Sequence, residues 1–494
     1  MDQAKSEKAK IKAGPMVGWE KASAVPDCHR FTSYLQVKEG HLFLEDLDLA
    51  RVLDEGEEVE GLAQTLPSPL EIVYLPIIRR QIGTMNKIFG EAIAETGYES
   101  RFYYAYASKA NAAEEIIRTT LGAGAHHEMS STVDVNIARI MIKRGLLPTE
   151  RLIICNGFKA AGTDYSKNII RLREEHQNVI PVLEDLGELS PLISSAQSFD
   201  VGLRQKTYGP NLTTEEMEAA NSRFGLNLKD IWTAAKAISE APNLNLRLYH
   251  AMAGSQITNR DAFVDYLSPG IEVYAQLRQR FPSLNIFDFG GGMPAPLTLD
   301  FEFDYHAFAV RLLRRLQEIC DRYDVPVPDV MGEFGRYTTA EHGAHLFKVV
   351  TVKDNGSDLP WYIIDGSIMS SFPDTWCLGE HFICLPLNHL DGPFQAVRLG
   401  GITCDSDDVY PPKKSRSILS MPVDANGLYV GFFGIGAYQE MLGGVKGSKH
   451  CVLPEAYELL IDRDDAGRYQ FQTVRGQTPA NVLDNLGYRI EDLD

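Results

Sequence analysis

Short apolar segments alternate with amphipathic segments through the middle of the chain. From about residue 100, each apolar run of strand length is followed by a stretch whose apolar residues recur at i, i+3, i+4 and i+7, as at 112–121, 133–143 and 308–323. Eight such apolar runs lie at 103–108, 125–130, 152–157, 179–184, 199–204, 246–251, 284–289 and 329–333. A doubly wound sheet would need fewer repeats or a reversal of strand order. We therefore predict an α/β fold with a (β/α)8 barrel at 75–342.

The pattern changes after residue 342, where strands follow one another without intervening helices. Their positions are 346–352, 361–365, 396–399, 427–433 and 474–476, separated by clusters of Gly, Pro and Asp. Such spacing is typical of a mostly antiparallel β domain. A strand pair at 34–37 and 41–43 precedes the barrel and is expected to join it. We predict one discontinuous β domain from residues 30–74 and 343–494, after a solvated tail at 1–29.

Charge and composition exclude several classes of function. The chain has 494 residues with 48 Lys plus Arg against 67 Asp plus Glu, a net charge of −19. This balance argues against nucleic acid and anionic membrane surfaces as partners. Seven cysteines without a C-x-x-C spacing suggest neither a disulfide framework nor a zinc site, but a reducing compartment. No apolar signal segment or spanning segment is visible, so we expect a cytoplasmic protein.

Polar residues collect where the predicted barrel strands end, which is where barrel enzymes carry their chemistry. Lys109 follows the first strand; an amine there can form a Schiff base, although a solvated lysine is the commoner case. The glycines at 290–292 follow the seventh strand and either bind an anion through their N–H groups or form a tight turn. Glu333 and Arg336 follow the eighth strand and either bind two ends of one ligand or pair with each other.

Seven short motifs then occur in one order along the chain. They are Y-A-S-K-A-N around Lys109, S-R-F-G at 222–225, A-G-S-Q-I at 253–257, G-G-G at 290–292, E-F-G-R at 333–336, T-C-D-S-D-D at 403–408 and G-A-Y at 436–438. In this order they resemble the fold-type III pyridoxal phosphate decarboxylases, which include ornithine, diaminopimelate and biosynthetic arginine decarboxylases. The resemblance extends from about residue 30 to 490. It implies an alanine-racemase-like barrel with a β domain.

The resemblance also assigns roles around the cofactor, pyridoxal 5'-phosphate. It implies that Lys109 binds the cofactor covalently, that Glu333 faces the pyridine nitrogen and that Arg204 lies near the phenolic oxygen. The implied phosphate site consists of Ser255, Gly290, Gly291, Gly292, Arg336 and Tyr438. These roles are chemically sound, because a carboxylate keeps the ring protonated and thereby strengthens it as an electron sink. Glycine N–H groups and a guanidinium neutralise a phosphate.

Cys404 and Asp405 belong to the β domain, far along the chain from Lys109. In the family this pair crosses a dimer interface and completes the neighbouring subunit's site, with the cysteine as candidate proton donor. A free cysteine taken alone is more often a small buried hydrophobe. The resemblance therefore implies a homodimer with shared active sites.

One departure from the family concerns the cofactor ring. The histidine that usually stacks on the ring is replaced by Met252, with His250 two residues earlier. A methionine packs on an aromatic face but offers neither charge nor proton. Other ligand types are not expected: His126 and His127 point to opposite faces of a strand, so we predict no metal site there.

The substrate class is inferred from the residues that would face the distal end of its side chain. The stretch 365–376 lacks the arginine that diaminopimelate enzymes need, whereas Asp365 and Asp405 align with acidic residues that bind a distal ammonium. C-N-G-F-K at 155–159, S-F-P-D-T-W at 371–376 and L-P-L-N-H-L-D at 385–391 resemble biosynthetic arginine decarboxylases most, although this chain is shorter. We expect decarboxylation of arginine, or of ornithine or lysine. The alternatives are a racemase, a decarboxylase of an unusual or diaminopimelate-like substrate, and an inactive regulatory homologue.

Overall fold

The computed structural model describes residues 29–30, 34–160, 162–206, 222–299, 301–356, 358–415, 417–447 and 449–493. Most of the predicted tail at 1–29 lies outside these residues. The chain divides into two compact units. Of the described residues, those within Ile78–Ala295 and Phe303–Thr338 form a barrel unit, and those within Met1–Ile77, Pro296–Glu302 and Thr339–Asp494 form a β unit.

The barrel unit contains a closed barrel of parallel strands, as predicted. Each strand pairs with the next along the chain, and the last pairs with the first, with Met331 beside Tyr103. The strands are Phe102–Ala107, His126–Met129, Ile153–Cys155, Val179–Leu183, Phe199–Gln205, Leu244–Ala251, Ile286–Asp288 and Asp329–Phe334. Apolar side chains such as Ile154, Leu248 and Met331 fill the interior. The barrel is therefore a packed core, which leaves the strand ends to carry polar groups.

Helices alternate with these strands. They are Leu75–Thr96, Glu114–Gly122, Thr132–Lys143, Asp164–Glu175, Leu189–Ile193, Leu228–Glu240, Arg260–Arg280 and Tyr305–Arg322, and the short Arg336–Thr339 follows the last strand. Local sequence explains where several of them begin. Asp304, for example, accepts a hydrogen bond from the backbone N–H of Ala307 and so caps the helix that buries Phe308 and Leu312. No helix in the described part of the chain is long and apolar enough to cross a membrane.

The described part of the β unit contains two sheets. The smaller has the strands His29–Arg30, Leu35–Lys38, His41–Leu44 and Leu47–Asp48, and the helix Leu49–Asp54 follows it. The larger is built around Gly343–Lys353, which pairs antiparallel with three neighbours. Its other strands are Leu70–Tyr74, Trp361–Ile364, Ile383–Pro386, Phe394–Gly400, Val409–Tyr410, Leu419–Pro422, Tyr429–Phe433, Tyr457–Arg463 and Tyr469–Val474. Most pairs are antiparallel, which confirms the predicted class.

Two expectations for this unit were wrong. Helices do occur after residue 342, at Ile368–Ser371, Pro373–Cys377, Gln439–Gly443 and Pro479–Asn485. They have one or two turns, too few for an apolar residue to recur at i+7. A strand predicted at 474–476 lies instead at Tyr469–Val474, and its partner Tyr457–Arg463 was not predicted. The latter strand is defined by pairing with Leu70–Tyr74, almost 400 residues earlier, which local periodicity does not reveal.

Candidate active site

Lys109 lies directly after the first barrel strand. That strand ends at Ala107, and Ser108–Ala110 forms a single 3-10 turn that carries the lysine out of the sheet. The hydroxyl of Ser108 donates to the carboxylate of Asp134 at 3.2 Å and holds the turn. Nζ of Lys109 lies 3.4 Å from Oε2 of the fully buried Glu128, while the lysine side chain itself is 48% exposed. The amine is therefore accessible from solvent and paired with a carboxylate at its inner side.

A second buried carboxylate, Glu333, is joined to Glu128 by one amide. Nδ2 of Asn156 donates to Oε1 and Oε2 of Glu333 at 2.8 and 2.9 Å, and it also lies 2.9 Å from Oε1 of Glu128. The three residues come from three different barrel strands or the loops that follow them. Hydrogen bonds to buried charged groups are the strong ones, so this amide fixes the position of Glu333.

The two carboxylates have different protonation behaviour. Burial raises the pKa of Glu128 to about 7, although the ammonium of Lys109 opposes this. Burial acts in the same direction on Glu333, but His250, Lys109, Asp288 and Asn156 together outweigh it and hold its pKa below the ordinary value. Glu333 is therefore ionised at neutral pH, whereas Glu128 is near its midpoint.

His250 and Asp288 are buried next to Glu333. Nδ1 of His250 lies 3.6 Å from Oδ2 of Asp288 and 3.6 Å from Oε1 of Glu333. Burial and the charge of Glu333 raise the pKa of Asp288 well above its ordinary value, and burial lowers the pKa of His250 to about 4. Two buried carboxylates this close do not both ionise. The cluster thus holds one negative charge, on Glu333, beside a neutral acid and a neutral imidazole.

The predicted glycine turn is packed too closely for side chains. Gly290 and Gly292 have φ of 68° and 95°, in the left-handed region. A Cβ on Gly291 would lie 3.0 Å from the carbonyl oxygen of Glu333, and one on Gly292 would lie 2.6 Å from that of Gly254. Ser255 follows Gly254 directly. The turn and the A-G-S segment therefore pack backbone against backbone.

Met252 lies against the same glycine turn. Its Sδ accepts a hydrogen bond from the N–H of Gly291 at 3.3 Å. A Cβ on Gly290 would lie 2.8 Å from this sulfur and 2.9 Å from Nε2 of His250. The methionine thus contacts the glycine turn that follows the neighbouring strand.

Arg204 is held by a carboxylate that sequence reasoning missed. Its Nη1 lies 2.9 Å from Oε1 of Glu184, a fully buried group that also accepts from the N–H groups of Gly157 and Gly225. The guanidinium carbon lies 4.9 Å from the ring centre of Phe224. A bridge on one side and an aromatic face on the other fix its direction.

Arg336 begins the short helix Arg336–Thr339 after the last barrel strand, and the remaining predicted residues belong to the β unit. Tyr438 has a φ of 71° and precedes the helix Gln439–Gly443. Oδ1 of Asp365 accepts from the backbone N–H of Lys348 at 2.9 Å, and burial raises the pKa of this aspartate. Sγ of Cys404 lies 3.6 Å from Sγ of Cys451, and both side chains are exposed. Oδ1 of Asp405 accepts from Asp407 N at 2.8 Å.

Asp365 also lines a cavity of about 290 Å3 within the β unit. The other ionisable groups of its lining include the carboxylates of Glu71, Glu440 and Glu455 and the amine of Lys449. Burial first, and then the nearby carboxylates, raise the pKa of Glu71 well above its ordinary value. Asp365, Glu440 and Glu455 still outnumber the one ammonium of Lys449 in this cavity, so its potential favours a cation.

Asn156, Glu184 and Asp288 were not predicted as site residues, and His250 was noted only beside Met252. A signal for them does exist in the sequence. Asn156 and Glu184 directly follow barrel strands, and Asp288 is the last residue of one. Position at the carboxyl end of a strand marks residues of this kind, but it marks many others too.

The residues at the barrel end suit a phosphorylated pyridine aldehyde. Lys109 supplies an amine on a half-exposed side chain, and Glu333 supplies a buried ionised carboxylate. The glycine turn carries no Cβ atoms that would shield its backbone from a phosphate. In the described structure the N–H groups of Gly290 and Gly291 donate to Oδ1 of Asp288 at 2.8 Å and to Sδ of Met252 at 3.3 Å.

Comparison with known proteins gives matching relatives. Biosynthetic arginine decarboxylase 2 of Synechocystis is 22% identical, covering 89% of this chain and 85% of its own. Arginine decarboxylase 1, chloroplastic, of Arabidopsis thaliana is 23% identical, covering 89% of this chain and 76% of its own.

Solved structures share the fold. The biosynthetic arginine decarboxylase of Campylobacter jejuni superposes with a TM-score of 0.78 at 20% identity, covering 94% of this chain and 92% of that one. Diaminopimelate decarboxylase of M. jannaschii superposes with a TM-score of 0.75 at 20% identity, covering 92% of this chain and 98% of that one. Residues 78–340, more than half of the chain, match the family model described as pyridoxal-dependent decarboxylase, pyridoxal binding domain. The chain therefore belongs to the pyridoxal-dependent decarboxylases.

Proposed function

We propose that this pyridoxal phosphate-dependent decarboxylase removes the α-carboxylate of a basic amino acid and releases the corresponding amine. Arginine is the first candidate substrate, and ornithine and lysine are the others. The observation that carries the choice of a cationic side chain is the acidic cavity that Asp365 lines together with Glu440 and Glu455. Relatives named arginine decarboxylase support arginine in particular.

The proposed cofactor contacts follow the chemistry of each residue. Lys109 would hold the cofactor covalently, and Glu333 would pair with its ring nitrogen. Ser255, Gly290, Gly291, Gly292, Arg336 and Tyr438 would hold the phosphate, and Arg204 and Met252 would contact the ring. When bound, the cofactor supplies a sink for the electron pair that loss of the carboxylate leaves on the substrate.

The chain's own groups then control protons. Asn156 keeps Glu333 oriented and the neutral Asp288 leaves the negative charge on Glu333, so a proton on the ring nitrogen is stabilised. Glu128, with a pKa of about 7 and 3.4 Å from Nζ of Lys109, can accept a proton from that amine or return it. This makes Glu128 a candidate general base for freeing the lysine amine.

The last part of the proposal concerns the β unit. Cys404 donates a proton to the carbon that has lost its carboxylate, and Asp365 with Asp405 binds the cationic end of the substrate. Because the family pairs such residues across two subunits, we propose a homodimer in which each β unit completes the site on its partner's barrel. We also propose that the protein is cytoplasmic.

Carbon dioxide release tests the substrate. Purified enzyme with pyridoxal phosphate is assayed against arginine, ornithine, lysine, diaminopimelate and their D-forms, and amine products are identified by chromatography. We expect the highest kcat/KM with L-arginine, and a loss of kcat/KM in Asp365→Asn but not in the exposed control Asp465→Asn. If none of these amino acids releases carbon dioxide, the proposal fails.

Subunit mixing tests the dimer. Lys109→Ala and Cys404→Ala are expected to be inactive separately, and a mixture that exchanges subunits is expected to regain activity. Each mixed dimer would contain one site with neither substitution. A mixture that stays inactive although the subunits have exchanged contradicts shared sites.

Met252 favours a second candidate, a racemase or a decarboxylase of an unusual substrate. A methionine on the ring offers no proton, so proton handling differs from that of relatives with histidine. Exchange of the α-hydrogen with deuterated solvent, without release of carbon dioxide, would identify a racemase.

A further inference from the structure

Two exposed thiols of the β unit lie in contact although 47 residues separate them. Sγ of Cys404 and Sγ of Cys451 are 3.6 Å apart. A second contact links the same two segments, because Nε2 of His450 lies 3.5 Å from Oδ2 of Asp405. Two consecutive residues of one segment thus contact two consecutive residues of the other. The two sulfurs are close because the segments run next to each other.

The segment that carries Cys404 is held by a buried carboxylate. Asp408 accepts hydrogen bonds from the N–H and the hydroxyl of Thr403 at 3.1 and 2.6 Å and from the N–H of Met369 at 3.1 Å. Three donors on one buried group leave this loop little freedom. Cys404 is therefore presented to solvent from a fixed support.

The segment that carries Cys451 is held in an uncommon conformation. Cys451 and Val452 have φ of 55° and 59°, within the turn His450–Val452. The left-handed region is sterically unfavourable for a residue other than glycine, so the surrounding contacts must hold the segment in it. Just before the turn, the amine of Lys449 donates to the carbonyl oxygen of Gly444 at 2.9 Å and anchors the segment.

We infer that Cys404 and Cys451 form a reversible disulfide when the protein meets a hydroperoxide. Closing the bond brings the sulfurs from 3.6 Å to about 2.05 Å, a movement within reach of side-chain rotation and a small loop shift. In the reduced protein, the hydrogen bond with Cys451 raises the pKa of Cys404, so this thiol keeps its proton at neutral pH.

The chemistry balances with hydrogen peroxide as the oxidant. One thiol loses its proton, the thiolate attacks a peroxide oxygen, the O–O bond breaks, and a sulfenic acid and one water that takes up the proton result. The second sulfur attacks the first, the S–S bond forms, the S–O bond breaks and a second water leaves. Two electrons pass from the sulfurs to the peroxide, and both thiol protons end in water.

Oxidation would remove the proton that Cys404 is proposed to donate, and this consequence rests on the proposed function. Loss of a general acid lowers rates by roughly 100-fold or more. Decarboxylation should fall by about that factor in peroxide and return with dithiothreitol. Formation of the disulfide itself does not depend on the decarboxylation reaction.

The experiment treats the holoenzyme with hydrogen peroxide, alkylates the remaining thiols and maps disulfides by mass spectrometry, with arginine decarboxylation measured in parallel. Cys451→Ser is expected to keep its basal activity and to lose the peroxide sensitivity. Cys377→Ser, which removes another exposed thiol, is the matched control and should behave as wild type.

A linked peptide that joins Cys404 and Cys451 supports the inference, whatever the activity. Oxidation of other thiols without this peptide overturns it. If the peptide forms while decarboxylation stays unchanged, the disulfide stands and the proton-donor role of Cys404 falls. Mapping and activity thus distinguish the two proposals.

Discussion

The side-chain nitrogen of Asn156 lies 2.8 Å from Oε1 of Glu333 and 2.9 Å from Oε1 of Glu128. One neutral amide therefore joins two buried carboxylates that lie 205 positions apart in the chain. Both carboxylates depend on it for hydrogen bonding, and their pKa values move in opposite directions. This places Asn156 among the residues that position the proposed cofactor contacts.

Replacing Asn156 by Ala should weaken cofactor binding. A lost hydrogen bond to a charged group costs about 1.5 to 3 kcal/mol, which corresponds to roughly 10- to 100-fold in affinity. The pKa of Glu333 should also rise, because Asn156 helps to hold it down. Affinity for pyridoxal phosphate, followed by absorbance, and the pH profile of kcat test this.

Asn245→Ala is the matched control, since this exposed amide donates to Asp200 at 2.7 Å. It should leave affinity and pH profile unchanged. An Asn156→Ala protein with normal affinity and a normal profile would contradict the positioning role.

The buried Glu128 should make stability depend on pH. Its pKa is raised from 4.5 to about 7 in the folded protein, so the folded state binds the proton more tightly than the unfolded one. The resulting stabilisation is complete below pH 4.5 and is lost as the pH rises through about 7. Melting temperatures of the cofactor-free protein over this interval should decline, and Glu128→Gln should flatten the decline. An equal decline in both proteins would argue against this assignment.

Substitutions of Met252 test how its presence in place of the family histidine affects cofactor binding. If its sulfur packs on the cofactor ring, Met252→Ala should weaken binding by roughly fivefold, because sulfur–aromatic contacts contribute about 1 kcal/mol. Met252→Leu keeps the volume without the sulfur and separates packing from the sulfur contact. Titration with pyridoxal phosphate measures both. Unchanged affinity in the alanine variant would mean that Met252 does not contact the ring.

Gly292 cannot accept a side chain. An alanine Cβ there would lie 2.6 Å from the carbonyl oxygen of Gly254 and would force the turn away from the A-G-S segment. Gly97→Ala is the control: it also has a positive φ, of 61°, but meets nothing within 4 Å. We expect Gly97→Ala to lose about 1 kcal/mol of stability and Gly292→Ala to lose more and to bind pyridoxal phosphate poorly. Urea unfolding and cofactor titration measure the two effects, and equal losses would show that the backbone contact is unimportant.

The order of elements could be predicted from the sequence, because strand and helix periods are local properties. The barrel strands fall where the apolar runs lie, and the mostly antiparallel β unit follows the change of pattern after residue 342. Short helices such as Ile368–Ser371 and the strand Tyr457–Arg463 could not be predicted, since a single turn has no period and a strand takes its register from a distant partner. The resemblance in seven motifs supplied the cofactor and the reaction, which periodicity does not contain.

The sequence by itself determined the fold class, the family and the candidate residues Lys109, Glu333 and Cys404, because their motifs are short and contiguous. Only the tertiary structure decided which groups surround them. Asn156 joins Glu128 to Glu333 because parallel barrel strands end at the same mouth of the barrel, and Cys451 meets Cys404 because two loops run together. Contacts of this kind bring together residues that are remote in the chain. Protonation follows from burial and neighbouring charge, which exist only once the chain has folded.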